Sequence, residues 1–542
     1  MKTSVTSMRN AVLCAGLGIG LIISACGSDP MPNATGGAAG STTGGNTTKV
    51  CEPGSSRACY SGPMGTDGIG MCKAGAEVCN ADGTGYEECS GEVAPRPEDC
   101  ATAEDEDCDG LATCSNHVWS LRFGDADTQF VSAISVDAGD NIVLTGQLSG
   151  AADFGGGAIT SAGSIDLFVA KLDASGKHVW SKRFGDAMGS QTGMSVATDK
   201  DGNVVVVGYF DGAIDFGGGP LTSAGSIDIF VAKLDPAGNH VWSKSFGDAG
   251  AQAATAVKTT PNGDIIIMSS LGGSVDFGGG PVTSAGGFDV GLVKLDATGK
   301  HVWSKRFGDA SEQSGNAIAV DAAGNVLVTG MFLGTVDFGG GPFTDMDGGD
   351  VFVLKLSGAG DHVFSKQFGG AGTQFGYDIA PDGDSIVLLG TFFDDFDLGG
   401  GALVNEGDED IFVAKLDATG NHVWSRSFGD EAQQAARGLS IDSAGNIVIT
   451  GSLSTKVGVD FGVGPLVSDG SSDALLVKFD GTGKTLWSFR YGDALAQDGY
   501  DTALDKAGNV VLAGVFRGSV EFGGGPLMTA GNYDLFLAKL AP

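Results

Sequence analysis

Carboxylates alternate with other residues and run into a glycine at Asp105-Glu106-Asp107-Cys108-Asp109-Gly110. Asp105, Asp107 and Asp109 would set oxygen ligands on one side of a loop, and Gly110 permits the sharp turn, which is the donor set a hard cation such as calcium requires. The position that would carry the bidentate Glu of a full calcium loop is Asn116, so the competing reading is a solvated acidic turn beside a disulfide. Zinc ranks below calcium, because cysteines spent on disulfides cannot act as thiolate ligands. The six histidines offer less: His117, His178, His240, His301, His362 and His422 all stand before Val-Trp or Val-Phe. A catalytic histidine is singular, whereas equivalent copies belong to a scaffold. The Gly-Gly-Gly loops lead into a strand, with no helix amino terminus or lysine to meet a phosphate. No nucleophile elbow, zinc-binding helix or dinucleotide fingerprint is present, so no catalytic residue is nominated.

Cys14 and Cys26 lie near the amino terminus, and the other eight cysteines are Cys51, Cys59, Cys72, Cys79, Cys89, Cys100, Cys108 and Cys114. A closely spaced even set downstream of an export signal reads as a disulfide framework in an oxidising compartment; eight cysteines allow 105 pairings, so the connectivity stays open. Residues 51–116 contain few aliphatic side chains, and a unit so poor in apolar area must be held by cross-links. In the whole chain 42% of residues are hydrophobic despite 93 glycines, which predicts a folded, turn-rich core. The net charge of −35 is spread without an acidic tail, which excludes nucleic acid as a partner and suits a solvated surface or a cation.

Lys2 and Arg9 precede an apolar run from Ala11 to Ile23 that has the length of a signal-peptide core and is short for a membrane span. It ends in Ile23-Ser24-Ala25-Cys26, which resembles the lipobox of bacterial lipoproteins. The resemblance implies cleavage of residues 1–25, a diacylglycerol on the Cys26 thiol and anchoring in the envelope; Gly27 favours the outer membrane. Residues 26–50 are rich in Gly, Ser, Thr and Asn and read as a flexible tether of about 25 Å span.

From residue 117 the chain is periodic. His-Val-Trp-Ser, His-Val-Phe-Ser or Thr-Leu-Trp-Ser recurs at spacings of 61, 62, 61, 61, 60 and 63 residues. One copy reads as Ala317–Asp321, a turn, Val326–Met331, a loop with Asp337-Phe338-Gly339-Gly340-Gly341-Pro342, then Val351–Leu356, a turn and His362–Phe368. Four short strands without helical periodicity make a β-meander, which is one propeller blade. In the fourth strand Trp180 and Phe184 share a face, so each blade should offer an aromatic pair to its neighbour. The histidines are expected to bond the carboxylates that precede the third strands, Asp166, Asp228, Asp289, Asp350, Asp410, Asp473 and Asp534. The region opens on an isolated fourth strand at His117 and finishes on a third strand at Leu540. The fold class is therefore all-β, a seven-bladed propeller over 117–542 closed by exchange of the first strand into the last blade.

The segments "VDAAGNVLVTG" and "DIFVAKLDATGNHVWSRSFG" resemble the seven-bladed propeller (SBBP) repeats of bacterial cell-surface proteins, with Gly-Gly-Gly-Pro replacing the family's proline after Asp-Phe. Glu98 to Gly110 is similar to the Cys-containing D-x-D-C-D-G motifs of myxobacterial secreted proteins. These resemblances imply extracellular display and binding, with no catalytic mechanism. Ligand specificity should sit where one copy departs from the rest: Phe392, Phe393, Asp394, Asp395, Glu406, Asp408 and Glu409 in the fifth, and the insertion Thr455-Lys456-Val457 in the sixth. The expected function is a surface binding or adhesion module for a glycan, matrix polymer or protein. The alternative is an exported glycosidase or polysaccharide lyase that uses a pair of carboxylates from non-repeated positions.

Overall fold

The computed structural model describes residues 49–62, 66–95, 108 and 117–542. The chain divides into two compact units at Cys114/Ser115, and each is described by itself. In the first, strands Ser56–Cys59 and Gly75–Val78 pair antiparallel. Disulfides join Cys51 to Cys79, Cys59 to Cys89 and Cys72 to Cys108. Loops of 28, 30 and 36 residues are closed in this way, each restricting the unfolded chain by roughly 3–4 kcal/mol in the chain-entropy account. Cys26, Cys100, Cys114, Asp105, Asp107 and Asp109 lie outside the described residues.

The second unit is seven four-stranded antiparallel sheets. Blade one runs from an inner strand, Gln129–Val136, through Ile142–Leu148 and Asp166–Leu172 to an outer strand, His178–Phe184. Its second and third strands are buried at every position, because neighbouring blades cover both faces; that is why Val204-Val205-Val206-Val207 in blade two does not alternate with polar residues. Turns are closed by Asx caps: the Asp137 carboxylate accepts the N–H groups of Gly139 and Asn141 at 2.7 and 3.0 Å. The inner strands contact one another in sequence and the seventh meets the first, so they wall a central channel.

The seventh blade consists of Gln497–Leu504, Val510–Phe516, Asp534–Leu540 and, as its outer strand, His117–Phe123. Trp119 pairs with Lys539 and Phe123 with Leu535, which is the expected strand exchange. Between blades, the outer-strand aromatic pair packs as predicted: Trp180 and Phe184 share a core with Val206, Phe210 and Phe230 of blade two. The indole N–H of Trp180 donates to the Pro236 carbonyl of blade two at 3.0 Å. Seven third-strand lysines reach Asp carboxylates; Lys171–Asp137 at 2.7 Å and Lys539–Asp505 at 2.7 Å are nearly inaccessible. Burial would raise the Asp137 carboxyl, but the Lys171 ammonium and Asn141 hold it below its ordinary value.

The expected histidine–aspartate bond is not formed. His178 pairs with Leu172, at the far end of the third strand from Asp166, and its Nε2 meets Ser181 Oγ at 3.1 Å. Asp166 instead accepts from Arg183 at 2.7 Å. The histidine ring has a steric partner: a Cβ on Gly156, the middle residue of the triple-glycine loop, would fall 2.1 Å from His178 Cε1. In blade six Thr485 replaces the histidine and Val463 replaces that glycine. The flanking glycines serve the backbone, with φ of 100° and 101° at Gly155 and Gly157. Their N–H groups are capped by Asp153 at 2.8 and 2.9 Å, so the loop holds its own anion.

Candidate functional site

The residues singled out in blade five do not form one site. Phe392 is fully inaccessible and packs on Phe396 and Phe412 at 5.1 and 6.3 Å; it fills the core position that Phe210, Phe332 and Phe516 occupy in other blades. Asp394, Asp395, Glu406 and Asp408 are exposed, and Asp395 accepts the N–H of Asn405 at 2.8 Å. Glu409 is buried and accepts from Thr391 Oγ1 at 2.6 Å and Gln433 Nε2 at 2.7 Å. Phe393 is half-buried and meets Phe375 edge-on at 6.4 Å. In the sixth unit Thr455 is buried and bonds Asp430. Phe393 and Glu409 thus lead from the loops toward the channel.

There each inner strand carries a β-bulge at the same place, three residues beyond its first glutamine. The bulged residues are Ser132, Met194, Thr255, Asn316, Tyr377, Arg437 and Tyr500. A bulge frees one residue from strand pairing and re-aims its side chain. The starting glutamine is the same in all seven strands, while six residue types fill the seven bulges. Large groups gather on one arc at the channel end where the inner strands begin. Phe375 stacks on Tyr377 at 5.7 Å. The Arg437 guanidinium lies 5.3 Å over the Tyr500 ring, Phe130 meets Tyr500 at 6.5 Å and stacks on Tyr533 at 5.7 Å, and Arg517 lies 5.5 Å over Tyr533. Burial, then the Glu409 charge, pushes the Tyr377 phenol up to about 12.

One residue past the bulge, two carboxylates tie blades together. Asp378 accepts the N–H of Leu439 in blade six at 2.8 Å, and Asp501 accepts the N–H of Ile134 across the closure seam at 2.8 Å. Both remain partly accessible from the channel, yet protein surrounds them. Burial pushes Asp378 up to about 7, with Lys258 opposing and Asp501 adding. Burial likewise pushes Asp501 up to about 6 against the Ile134 N–H and Lys258. At the opposite channel end a cleft of about 330 Å³ is bordered by Val136, Asp140, Ile441, Leu504 and Lys506. There the Lys506 N–H donates to Asp140 at 3.1 Å, which closes the seam. Among the described residues no three His, Cys, Asp or Glu side chains form a metal-holding group.

No protein-family model matches the chain. An uncharacterised WD repeat-containing protein of Acanthamoeba polyphaga mimivirus is 22% identical over 544 aligned residues, covering 80% of this chain and 39% of the viral protein. The regulatory protein FlaEY of Caulobacter vibrioides is 24% identical over 204 residues, covering 35% of this chain and 21% of its own length. The chain therefore spans 39% and 21% of the lengths of these curated relatives. Among solved structures, the WD40 β-propeller domain of Doa1 is similar at a TM-score of 0.38 and 9% identity, over 78% of this chain and 97% of that one. The β-propeller domain of the Trilobed protease from Pyrococcus furiosus gives 0.38 and 9%, over 77% and 94%.

Sequence reasoning sought departures in the loops and missed the bulge residues. The signal was present: with the seven copies aligned on the inner-strand glutamine, the column three residues on holds Ser, Met, Thr, Asn, Tyr, Arg and Tyr.

Proposed function

We propose that the chain is an exported, lipid-anchored binding module of the cell envelope whose ligand sits at the channel mouth, against blades five, six, seven and one. The observation that carries this reading is the set of unlike bulge residues on an otherwise repeated scaffold, with Tyr377, Arg437 and Tyr500 on one arc. A binding surface needs such asymmetry, and a purely architectural ring does not. The lipobox-like Ile23-Ser24-Ala25-Cys26 supports anchoring through Cys26, in the outer membrane or facing the periplasm. The three disulfides of the first unit are compatible with an oxidising compartment. The SBBP-like repeats support display on a bacterial surface, and Asp105, Asp107 and Asp109 are the residues that would take up calcium.

A second reading, a carboxylate-dependent glycosidase or lyase, is favoured by Asp378 and Asp501, whose raised carboxyls come from non-repeated channel positions. Binding is preferred because each spends both oxygens on backbone N–H groups. The test is retention of the purified chain on immobilised polysaccharides and envelope extracts, with and without calcium. Loss of retention in Tyr377→Ala and Tyr500→Ala supports the mouth as the site. Release of oligosaccharide product that Asp378→Asn abolishes replaces the binding reading with the enzyme.

A further inference from the structure

Cations are scarce on the channel wall, and among the described residues no hydrogen bond or salt bridge engages them, although the Lys258 charge acts on Asp378 and Asp501. The seven inner strands contain two basic residues, Lys258 in blade three and Arg437 in blade six. The third-strand lysines, Lys171, Lys233, Lys294, Lys355, Lys415, Lys478 and Lys539, all have carboxylate partners. Lys258 and Arg437 differ: both are exposed, and among the described residues neither side chain makes a hydrogen bond or ion pair. Lys258 stands at a position where the other blades have Ser135, Ala197, Ala319, Ala380, Ser440 and Ala503, so small neighbours leave room around its ammonium. Arg437 is oriented over Tyr500, with the charges of Asp498 and Glu409 nearby. Both oxygens of Glu409 are occupied by Thr391 and Gln433.

A guanidinium with five unspent donors recognises a planar anion, and a carboxylate fits its fork in bidentate fashion. Around it stand the flat rings of Tyr377, Tyr500, Phe130 and Tyr533. Such faces pack against the apolar side of a sugar ring, whose hydroxyls need acceptors such as Asp498. Deeper in the channel, Lys258 supplies a second, point-like positive charge.

We propose that the channel binds a carboxylate-bearing glycan, a chain containing uronic acid residues, with one carboxylate on Arg437, its sugar ring against Tyr377 or Tyr500, and a further carboxylate directed to Lys258. This rests on the reading of the mouth as the binding site and adds the class of ligand.

The experiment is calorimetric titration of the full chain with galacturonate, glucuronate and mannuronate/guluronate oligomers. The best binder is then compared with its carboxyl-reduced form and with hexaglutamate. The reduced oligomer should bind at least tenfold more weakly. Arg437→Gln should cost tenfold or more for the uronate form only, Lys258→Gln about threefold, and Arg437→Lys should recover part of the loss. No binding of any uronate oligomer, equal affinity for the reduced form, indifference to Arg437→Gln, or preference for hexaglutamate overturns the proposal. If Tyr377→Ala and Tyr500→Ala abolish binding of a neutral oligomer while Arg437→Gln does not, the mouth reading stands and only the uronate assignment falls. If the tyrosine variants change nothing, both fall.

Discussion

Thr485 and Val463 in blade six should be energetically coupled, because the other six blades hold a histidine against a glycine at these two places. A Cβ on Gly156, Gly218, Gly279, Gly400 or Gly524 would lie 2.1–2.2 Å from the Cε1 of its histidine, and one on Gly340 would lie 2.7 Å from His362. The five shorter approaches are more than 1 Å inside ordinary contact, and overpacking of this size costs about 1–3 kcal/mol. Thr485→His alone should therefore destabilise the propeller by roughly 2 kcal/mol, since Val463 stands where the ring must go. Val463→Gly alone should cost about 1 kcal/mol through unfolded-chain entropy. The double variant restores the pairing of the other blades, with a serine, Ser488, three residues on as in His178/Ser181. It should return to within about 1 kcal/mol of the parent, giving a favourable coupling of about 2 kcal/mol. Urea denaturation of the four proteins, followed by tryptophan fluorescence, measures the cycle. Additive losses, or a Thr485→His variant as stable as the parent, would refute the steric account.

Blade five predicts a pH effect: burial first, with Glu406 and Asp430 adding, pushes Asp410 up to about 6 from 3.8. The native state then holds this proton more tightly than the unfolded chain, so stability present below pH 4 is lost as pH rises toward 6, by at most about 3 kcal/mol. Ser427 pairs with Phe412 as Arg183 pairs with Phe168, so Ser427→Arg should supply the missing cation and flatten the pH dependence of denaturation between pH 4 and 7. Gly185→Ala would set a Cβ 2.1 Å from Asp166 Oδ1 and should lower the urea midpoint by an amount corresponding to about 2 kcal/mol or more. Reduction with dithiothreitol should abolish protease resistance of residues 49–95 and leave the thermal midpoint of the propeller unchanged, because the described disulfides lie in the first unit.

The blade count, strand order and closure were legible because each copy repeats turn residues and apolar strands at nearly constant spacing. The aromatic pairing followed from strand alternation alone. The histidine partner was misjudged because it depends on register: His178 and Asp166 are close in sequence but sit at opposite ends of adjacent strands. Phe392 looked distinctive beside Phe393-Asp394-Asp395, although it ends a second strand where Leu148, Phe210 and Phe332 are core. The candidate site was hidden for a different reason. A bulge is set by hydrogen-bond geometry between two strands and leaves no residue of fixed type in the sequence.

The bond from Arg122 to Asp534 joins residues 412 apart. At about 5–20 residues per second of synthesis, the first outer strand waits on the order of half a minute for the strand beside which it will lie. Until then the seventh sheet has no outer layer and the ring has a gap. Folding of the ring is thus tied to synthesis of its last strand: a product cut short before Asp534–Leu540 would present unpaired edges to proteases, so ring closure acts as a check that all seven blades have been made.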